Sequence, residues 1–540
     1  MSKAESDNQN YSGSYLFDLL SAGAAWLDKN VEVINALNVF PVPDGDTGTN
    51  MVLTLKTALR EAESDIEEGA DKVANSIARG ALLGARGNSG VILSQFLKGL
   101  AKGLQDNQFL NSSNFPKALA QAARSANDAM SNPVEGTMLT VARMASEAST
   151  QLDKASFGEQ LMAAAIGAEE AVEKTPEQLE VLRNAGVVDS GGKGLALILR
   201  AAANYHLGIA LGLPLKSIAP ISIDEKWLAK QTLEHWGFCT EFVIVNPVVT
   251  TETIRKTLSD YGNSESLVEG DQMVRVHLHS QEPEKVIQAA YNLGELEQVA
   301  IRDMDLQQEV FIEDHKGVNT QNQTGIVSIV TGPGLLHVMR SLGSSAFIWG
   351  GATMNPSTQE IVEAVESIPS NDVIILPNNK NTIAACNIAA TLTKKNIHTI
   401  QTISMTQGIS SLLAFNASAE LSPNVEKIEK ALATLRWGEV SETVRLGSFE
   451  NISYKKGENI AILEGTISYA NADPKKCVTE LIRLMNPEEE DLCTLYYGAD
   501  TTEKEALETR KIISDQWPTI EVETLYGGQP TYKYLVTLEN

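Results

Sequence analysis

The helical periodicity of residues 15–208 is the feature that most constrains the fold. Apolar residues recur there at spacings of three and four in Ala- and Leu-rich segments, which is typical of amphipathic helices. Polar, glycine-containing breaks separate the segments, and their sequences are PVPDGDTGT, GARGNSG, SNPVEGT and RNAGVVDSGG. The pattern predicts an all-α bundle whose loops carry the function.

The pattern changes after residue 226. FCTEFVIV and QMVRVHLH are short, rich in β-branched residues and separated by helical patterns, as in a small α+β domain. Further along, GIVSIVTGPG, DVIILPNNKN and HTIQTIS are buried-type strands that alternate with helices, which indicates an α/β domain with a parallel sheet. The sequence therefore predicts three domains: helical over 12–208, α+β over 226–315 and α/β over 324–540.

Charge and cysteine content exclude several classes of function. The chain has 43 Lys and Arg against 69 Asp and Glu, a net charge of −26, which disfavours binding to nucleic acid or to anionic lipid. Its four cysteines form no CxxC pair, which fits a reducing compartment. No apolar run reaches the roughly 18 residues of a membrane span. We therefore expect a cytoplasmic protein without membrane insertion.

The first break holds two aspartates. Pro and Gly shape a tight turn around Asp44 and Asp46, whose hard carboxylate oxygens suit Mg²⁺ with phosphate oxygens completing its shell. An EF-hand is excluded because Gly48 and Leu55 occupy two of its ligand positions. An acidic turn or a helix N-cap explains the same residues equally well.

The other breaks resemble anion sites. Glycines followed by a helix start, as in GARGNSG, present backbone N–H groups and the helix dipole to a phosphate. None of them is a Walker A loop, and each alone is explained as an ordinary helix start. Several in one helical region favour a shared end of the bundle that binds an anion. No histidine precedes His206, but phosphoryl transfer depends mainly on positioning and charge neutralisation.

In this order, PVPDGDTGTNM, RGNSG, EGTM and DSGGKGL resemble the nucleotide-binding domain of dihydroxyacetone kinases, the DhaL type. The resemblance implies an antiparallel eight-helix barrel with ATP and two Mg²⁺ at one end. Asp44 and Asp46 match the last two metal-binding aspartates, whereas the first position falls at Val39, and Asn38 is the candidate replacement. The implied cofactor-binding residues are Thr47, Gly48, Asn88, Ser89, Gly90, Gly136, Thr137, Met138 and Asp189.

The strand QMVRVHLH carries a possible metal site. His277 and His279 point to one face of the strand, and Cys239 on the other predicted strand supplies a thiolate, with Glu241 on the same face as Cys239. Three such ligands leave an open position, as in catalytic zinc sites. Two surface histidines and a lone buried cysteine are the plainer alternative.

The order of the parts is similar to fatty acid kinase catalytic subunits, the FakA/YloV family, and GGQPTYKY is similar to a segment of DegV-type lipid-binding proteins. The resemblance implies transfer of the ATP γ-phosphoryl group to a fatty acid carboxylate, giving an acyl phosphate for phospholipid synthesis. It also implies a separate DegV-type fatty-acid-binding partner, a homodimer and a DegV-like C-terminal domain. Cys239, His277, His279 and Arg302 are the catalytic candidates. A kinase of a small hydroxyl substrate such as dihydroxyacetone, or a non-enzymatic lipid-binding regulator, are the alternatives.

Overall fold

The computed structural model describes residues 9–130, 132–152, 155–211, 223–224, 227, 236–270, 272–315, 324–351, 353–450 and 452–539. The stretches between the predicted domains fall largely outside these ranges. The chain divides into two compact units, one formed by Met1–Gln281 with Asp303–Asn319 and the other by Glu282–Arg302 with Thr320–Asn540. The predicted domain limits stay a prediction.

A ring of helices makes up most of the first unit. Among the described residues its helices are α1 (Gly13–Lys29), α2 (Val31–Ala36), α3 (Thr47–Ala62), α4 (Ala70–Gly84), α5 (Gly87–Gly103), α6 (Phe115–Asp128), α7 (Met138–Gln151), α8 (Phe157–Gln178), α9 (Glu180–Ala185) and α10 (Ser190–His206). Apart from the short α2 and α9, each packs against the next, and α10 closes the ring against α1. The predicted helical domain is confirmed.

Small side chains hold the ring together. Its interior is rich in fully buried alanines, such as Ala58, Ala81 and Ala122, which let neighbouring helices approach closely. Helix α1 ends before Asn30, whose Nδ2 donates to the Trp26 carbonyl oxygen over 2.8 Å and so takes the place of a helical bond. No helix within the described ranges has the length and apolar character needed to cross a bilayer.

An antiparallel sheet completes the first unit. Its strands are β1 (Phe238–Val245), β2 (Asn263–Gly270) and β3 (Met273–Ser280), in the order β2-β3-β1, with helices α11 (Thr251–Leu258) and, later in the chain, α13 (Met304–His315). β1 and β3 were predicted. β2 was not, because NSESLVEG is too polar to resemble a strand.

The second unit is α/β, as predicted. Strands β4 (Glu295–Asp303), β5 (Thr324–Val330), β6 (Ala346–Trp349), β7 (Asp372–Leu376) and β8 (Asn396–Thr399) lie in the order β4-β6-β5-β7-β8, parallel except for β4. Its helices are α12 (Pro283–Ala290), α14 (Pro333–Ser341), α15 (Thr358–Ser367), α16 (Ile383–Thr391), α17 (Met405–Ala414), α18 (Leu421–Thr434), α19 (Pro474–Leu484) and α20 (Glu503–Gln516).

This unit contains a second sheet. The sequence predicted additional strands here but not that they form a separate sheet. It contains β9 (Arg436–Glu442), β12 (Asn459–Leu463), β13 (Thr466–Asn471), β14 (Leu492–Tyr497), β15 (Glu521–Tyr526) and β16 (Tyr532–Glu539), in the order β13-β12-β9-β16-β14-β15. Only the β14–β15 pair is parallel. The small hairpin of β10 (Gly447–Phe449) and β11 (Ile452–Tyr454) accompanies it.

Glu439 on β9 is expected to make the stability of this unit depend on pH. Burial raises the pKa of its carboxyl to about 7, although hydrogen bonds with Tyr532 and Ser404 act in the opposite direction. Between pH 4.5 and 7 the folded state therefore binds more protons than the unfolded state, and stability falls as the pH rises. We expect the melting temperature of the wild type to drop relative to that of Glu439→Gln between pH 5 and pH 8. A difference in melting temperature between the two proteins that stays constant from pH 5 to pH 8 would refute this.

Candidate active site

A cavity of about 740 Å³ in the first unit brings the predicted site residues together. Its walls come from the acidic loop before α3, the start of α5, the loop before α7, the start of α10, and the β1–β3 sheet with α11. The predicted site residues on these walls are Asn38, Asp44, Asp46, Thr47, Asn88, Ser89, Thr137, Met138, Asp189, Cys239, His277 and His279. The nucleotide-type loops and the Cys/His group therefore face the same space.

The acidic loop holds its two carboxylates close together. Gly45 between them has a φ of +67°, and a Cβ there would lie 2.9 Å from a ring carbon of Phe311, so the turn requires glycine. Burial, together with the negative charges of Asp46 and Cys239, raises the pKa of Asp44 well above its ordinary value. Two mutually repelling carboxylates on a cavity wall are a donor set that fits Mg²⁺.

Two asparagines fix the start of α3. The Oδ1 of Asn38 accepts hydrogen bonds from the Thr47 amide at 2.9 Å and from the Thr47 hydroxyl, while its Nδ2 donates to the Val42 carbonyl at 2.8 Å. Asn35 accepts from the amides of Gly48 and Thr49. The Oδ1 atom of Asn38 thus accepts two hydrogen bonds within the loop, and the role of Asn38 as a third metal ligand stays a prediction.

The phosphate-type loop joins α4 to α5. Gly87, the first residue of α5, has a φ of +56°, and a Cβ there would lie 2.4 Å from Nδ2 of Asn50. The next two residues, Asn88 and Ser89, lie on the cavity wall at the helix N-terminus. This arrangement presents amide groups and the positive end of the helix dipole to an anion.

Gly87→Ala should weaken nucleotide binding because the alanine is strained and displaces Asn50. The free loop can relax to relieve a strain of about 1–3 kcal/mol, which nucleotide binding must then restore at a cost of roughly 5- to 150-fold in affinity. Gly208→Ala is the matched control, because Gly208 has a φ of +63° and a Cβ added there would have no atom within 4 Å. Titration with fluorescent AMP-PNP and Mg²⁺ measures the effect, and equal affinities for the two variants would contradict it.

Helix starts supply the remaining walls. Oδ2 of Asp189 accepts from the Gly192 amide at 2.6 Å and caps α10, and burial raises the pKa of Asp189 to about 7. The Thr137 hydroxyl caps α7 beside Met138. These three residues face the cavity as predicted, but their contact with a nucleotide stays a prediction.

Four predicted residues have other surroundings. Gly48 packs against α2, where a Cβ would lie 2.7 Å from the Val31 carbonyl oxygen. Gly90 packs against Thr54 on α3, and the Gly136 amide donates to the Thr140 hydroxyl within a turn. These contacts favour backbone roles for the three glycines. Arg302 belongs to the second unit, and its function stays a prediction.

The Cys/His group forms on one face of the β1–β3 pair. Cys239 lies opposite His279, and Glu241 lies opposite His277. All four side chains are buried, and the donor atoms of Cys239, His277 and His279 lie within 4.8 Å of one another. The predicted clustering of the trio is therefore observed; its occupation by zinc stays a prediction.

Electrostatics favour a cation at this group. Burial disfavours the charged form of His277, but the charges and hydrogen bonds of Cys239 and Glu241 outweigh it and raise its pKa to about 10. Nδ1 of His277 lies 3.1 Å from Oε1 of Glu241. Nε2 of His277 is buried and has no hydrogen-bond partner among the described residues. A buried thiol, two imidazoles and an unpartnered ring nitrogen fit a zinc ion.

Sequence patterns did not predict two basic residues of the cavity. Arg255 and Lys256 on α11 lie on the wall formed by the β1–β3 sheet and its helix. They place two positively charged side chains on the cavity wall. Their position depends on how α11 packs in three dimensions, and no local pattern in TTETIRKTL indicates it.

Family models cover most of the chain. A DAK2 domain matches residues 41–204, the middle domain of the FakA-like fatty acid kinase family matches 235–311, and the C-terminal domain of that family matches 325–539. The helical region, the strands with the Cys/His trio and the α/β region thus follow the order predicted from the sequence. The predicted family and multidomain fold class are confirmed.

Individual proteins similar to this chain include a full-length relative and two solved structures. Protein YloV of Bacillus subtilis is 36% identical, covering 98% of this chain and 99% of its own. Dihydroxyacetone kinase from C. freundii, solved with AMP-PNP and Mg²⁺, is 21% identical with a TM-score of 0.28, covering 38% of this chain and 36% of its own. A fatty-acid-binding DegV protein from Thermus thermophilus is 10% identical with a TM-score of 0.29, covering 40% of this chain and 99% of its own. The family models and the full-length relative show that the chain is a kinase of the FakA-like fatty acid kinase family.

Proposed function

We propose that this kinase transfers the γ-phosphoryl group of ATP to the carboxylate of a fatty acid and so produces an acyl phosphate for phospholipid synthesis. The observation that carries the proposal is the single cavity that contains Asp44, the phosphate-type loop and the Cys/His trio. A nucleotide and an acceptor carboxylate bound in one cavity would be close to each other. Phosphoryl transfer depends mainly on such positioning.

The nucleotide half is the end of the helical ring. Asp44 and Asp46 would hold Mg²⁺, two ions by analogy with the DhaL type, and Mg²⁺ neutralises phosphate charge when bound. Asn88 and Ser89 would donate to the phosphates from the start of α5. Thr137, Met138 and Asp189 would position the rest of the nucleotide.

The acceptor half is the face of the β1–β3 pair. Cys239, His277 and His279 would hold zinc, which supplies Lewis-acid polarisation of a carboxyl oxygen when bound. Arg255 and Lys256 on the same wall would attract the negative charge of the acceptor. A carboxylate is already a nucleophile, so no general base is required, and the lack of histidine before His206 is no obstacle.

The fatty acid needs a carrier in this proposal. Long acyl chains are poorly soluble, and a DegV-type protein that presents the carboxylate would deliver the acid to the cavity. We further propose a homodimer, which sedimentation of the purified chain tests. Both assignments rest on the family to which the chain belongs.

The test is an assay of competing acceptors. The chain is incubated with [γ-³²P]ATP, Mg²⁺ and either a fatty-acid-loaded DegV-type protein or dihydroxyacetone. We expect label on the lipid that hydroxylamine releases, as an acyl phosphate requires. Label on dihydroxyacetone would favour the hydroxyl kinase instead, and no transfer to either acceptor would favour a non-enzymatic regulator.

A further inference from the structure

One buried carboxylate contacts residues of both halves of the cavity. Glu241 on β1 is 1% exposed. Its Oε1 lies 3.1 Å from Nδ1 of His277 and 2.5 Å from the backbone nitrogen of Gly87. One oxygen atom therefore contacts both a residue of the Cys/His trio and the first residue of α5.

On the side of the trio, Glu241 fixes the state of a histidine. A carboxylate accepts from Nδ1–H, so a ring that gives up one proton to bind a metal keeps the other on Nδ1. Nδ1 also lies 3.6 Å from Sγ of Cys239, and Nε2 of His277, which has no hydrogen-bond partner within the described part of the chain, is the other nitrogen available to a metal. Metal-ligating histidines generally donate their other N–H to a carboxylate in this way.

On the side of the phosphate-type loop, Glu241 acts at a helix end. The Gly87 amide belongs to the first turn of α5, where a negative charge is stabilised by the helix dipole. With this amide occupied, the following residues Asn88 and Ser89 remain on the cavity wall for phosphate. Glu241 therefore holds the loop without taking the place of the nucleotide.

A second charged residue of the sheet supports this arrangement. Nη1 of Arg275 on β3 donates to the carbonyl oxygen of Leu83, in the last turn of α4, over 2.8 Å. The sheet thus places a cation at the C-terminal end of α4 and an anion at the N-terminal end of α5, each of the sign that the helix dipole favours. Val268 on β2 packs with Leu82, Ala85 and Val91 around the same loop.

We propose that Glu241 is a positioning residue that couples the zinc site to the nucleotide site. The inference rests on the metal site of the proposed function and adds a link between zinc binding and nucleotide binding. Zinc at the trio would orient His277, reduce the repulsion between Glu241 and the phosphates, and thereby strengthen nucleotide binding. Because such coupling is reciprocal, nucleotide would strengthen zinc binding by the same factor.

The test measures the coupling factor, which is the ratio of the zinc affinities with and without nucleotide, in the full chain. Zinc affinity is determined by competition with a chromogenic chelator, with and without AMP-PNP and Mg²⁺, for the wild type, Glu241→Gln and Glu241→Ala. Glu269→Gln is the matched control, because Glu269 lies on β2 with an exposed side chain. We expect the nucleotide to raise the zinc affinity of the wild type about fivefold or more. In both Glu241 variants, zinc affinity should fall by about 10- to 100-fold and the coupling factor at least threefold.

The possible outcomes distinguish failure of the coupling from failure of the metal site. A wild-type factor of 1, or an unchanged factor in Glu241→Gln, would overturn the coupling and leave the proposed function standing. A wild type that binds no zinc would instead overturn the metal site itself, and the coupling with it. If Glu241→Ala does not fold, Glu241→Gln keeps the shape of the side chain and decides. A merely structural role would lower both affinities without changing the factor.

Discussion

Asp44→Asn is expected to abolish phosphoryl transfer and to leave the chain at least as stable as the wild type. Loss of a carboxylate that holds Mg²⁺ on the phosphates should lower the rate by about 10³-fold or more. The same carboxylate is unfavourable in the metal-free protein, because burial and the charges of Asp46 and Cys239 raise its pKa. Replacing it with a neutral amide removes that repulsion.

Activity and melting are measured together to separate the two effects. In the absence of Mg²⁺, Asp44→Asn should melt at the same temperature as the wild type or higher. Mg²⁺ with AMP-PNP should raise the melting temperature of the wild type much more than that of the variant. Asp106→Asn is the control, because Asp106 is an exposed aspartate in a turn of the helical ring. Full activity of Asp44→Asn would refute the metal role.

The second large effect is expected at the trio. Cys239→Ser and His277→Ala should each lose zinc and lower phosphoryl transfer by about 10²-fold or more, since the acceptor carboxylate would no longer be oriented. Nucleotide binding should weaken only by the factor that couples it to zinc, because the residues of the nucleotide half are unchanged. Elemental analysis and single-turnover assays give the two readouts.

His337→Ala is the matched control for the trio. Nδ1 of His337 lies 2.9 Å from Oε1 of Glu284, a histidine–carboxylate pair like that of His277 but outside the only metal-type cluster found in the described part of the chain. This variant should keep zinc and activity. Stoichiometric zinc in both Cys239→Ser and His277→Ala would show that the trio does not hold the metal.

Local patterns were enough to predict the helical ring and the strands of the trio. Apolar spacing depends on neighbours three and four residues away, and the HxH pattern of His277 and His279 fixes a shared face over two residues. The contact between Glu241 and Gly87 joins residues 154 positions apart, and Arg255 reaches the cavity only through the packing of α11. No local pattern encodes such distances.

Asn38 shows a different limit of sequence reasoning. Its position next to Val39, where the resemblance expects a metal-binding aspartate, suggested a substitute ligand. Three hydrogen bonds with Thr47 and Val42 give the side chain a structural role that only the folded loop reveals. An asparagine suits both roles equally well in a sequence, because its amide can coordinate a metal or cap a helix.

The central claim is that a fatty acid carboxylate attacks the γ-phosphorus of ATP, and oxygen labelling tests it most directly. A DegV-type protein is loaded with fatty acid labelled with ¹⁸O in both carboxyl oxygens and incubated with the chain, ATP and Mg²⁺. Hydroxylamine then cleaves the product at the carbonyl carbon and releases inorganic phosphate for mass spectrometry. The proposal predicts ¹⁸O in the released phosphate, because the bridging oxygen comes from the carboxylate. Hydroxylamine-released phosphate without ¹⁸O would contradict it.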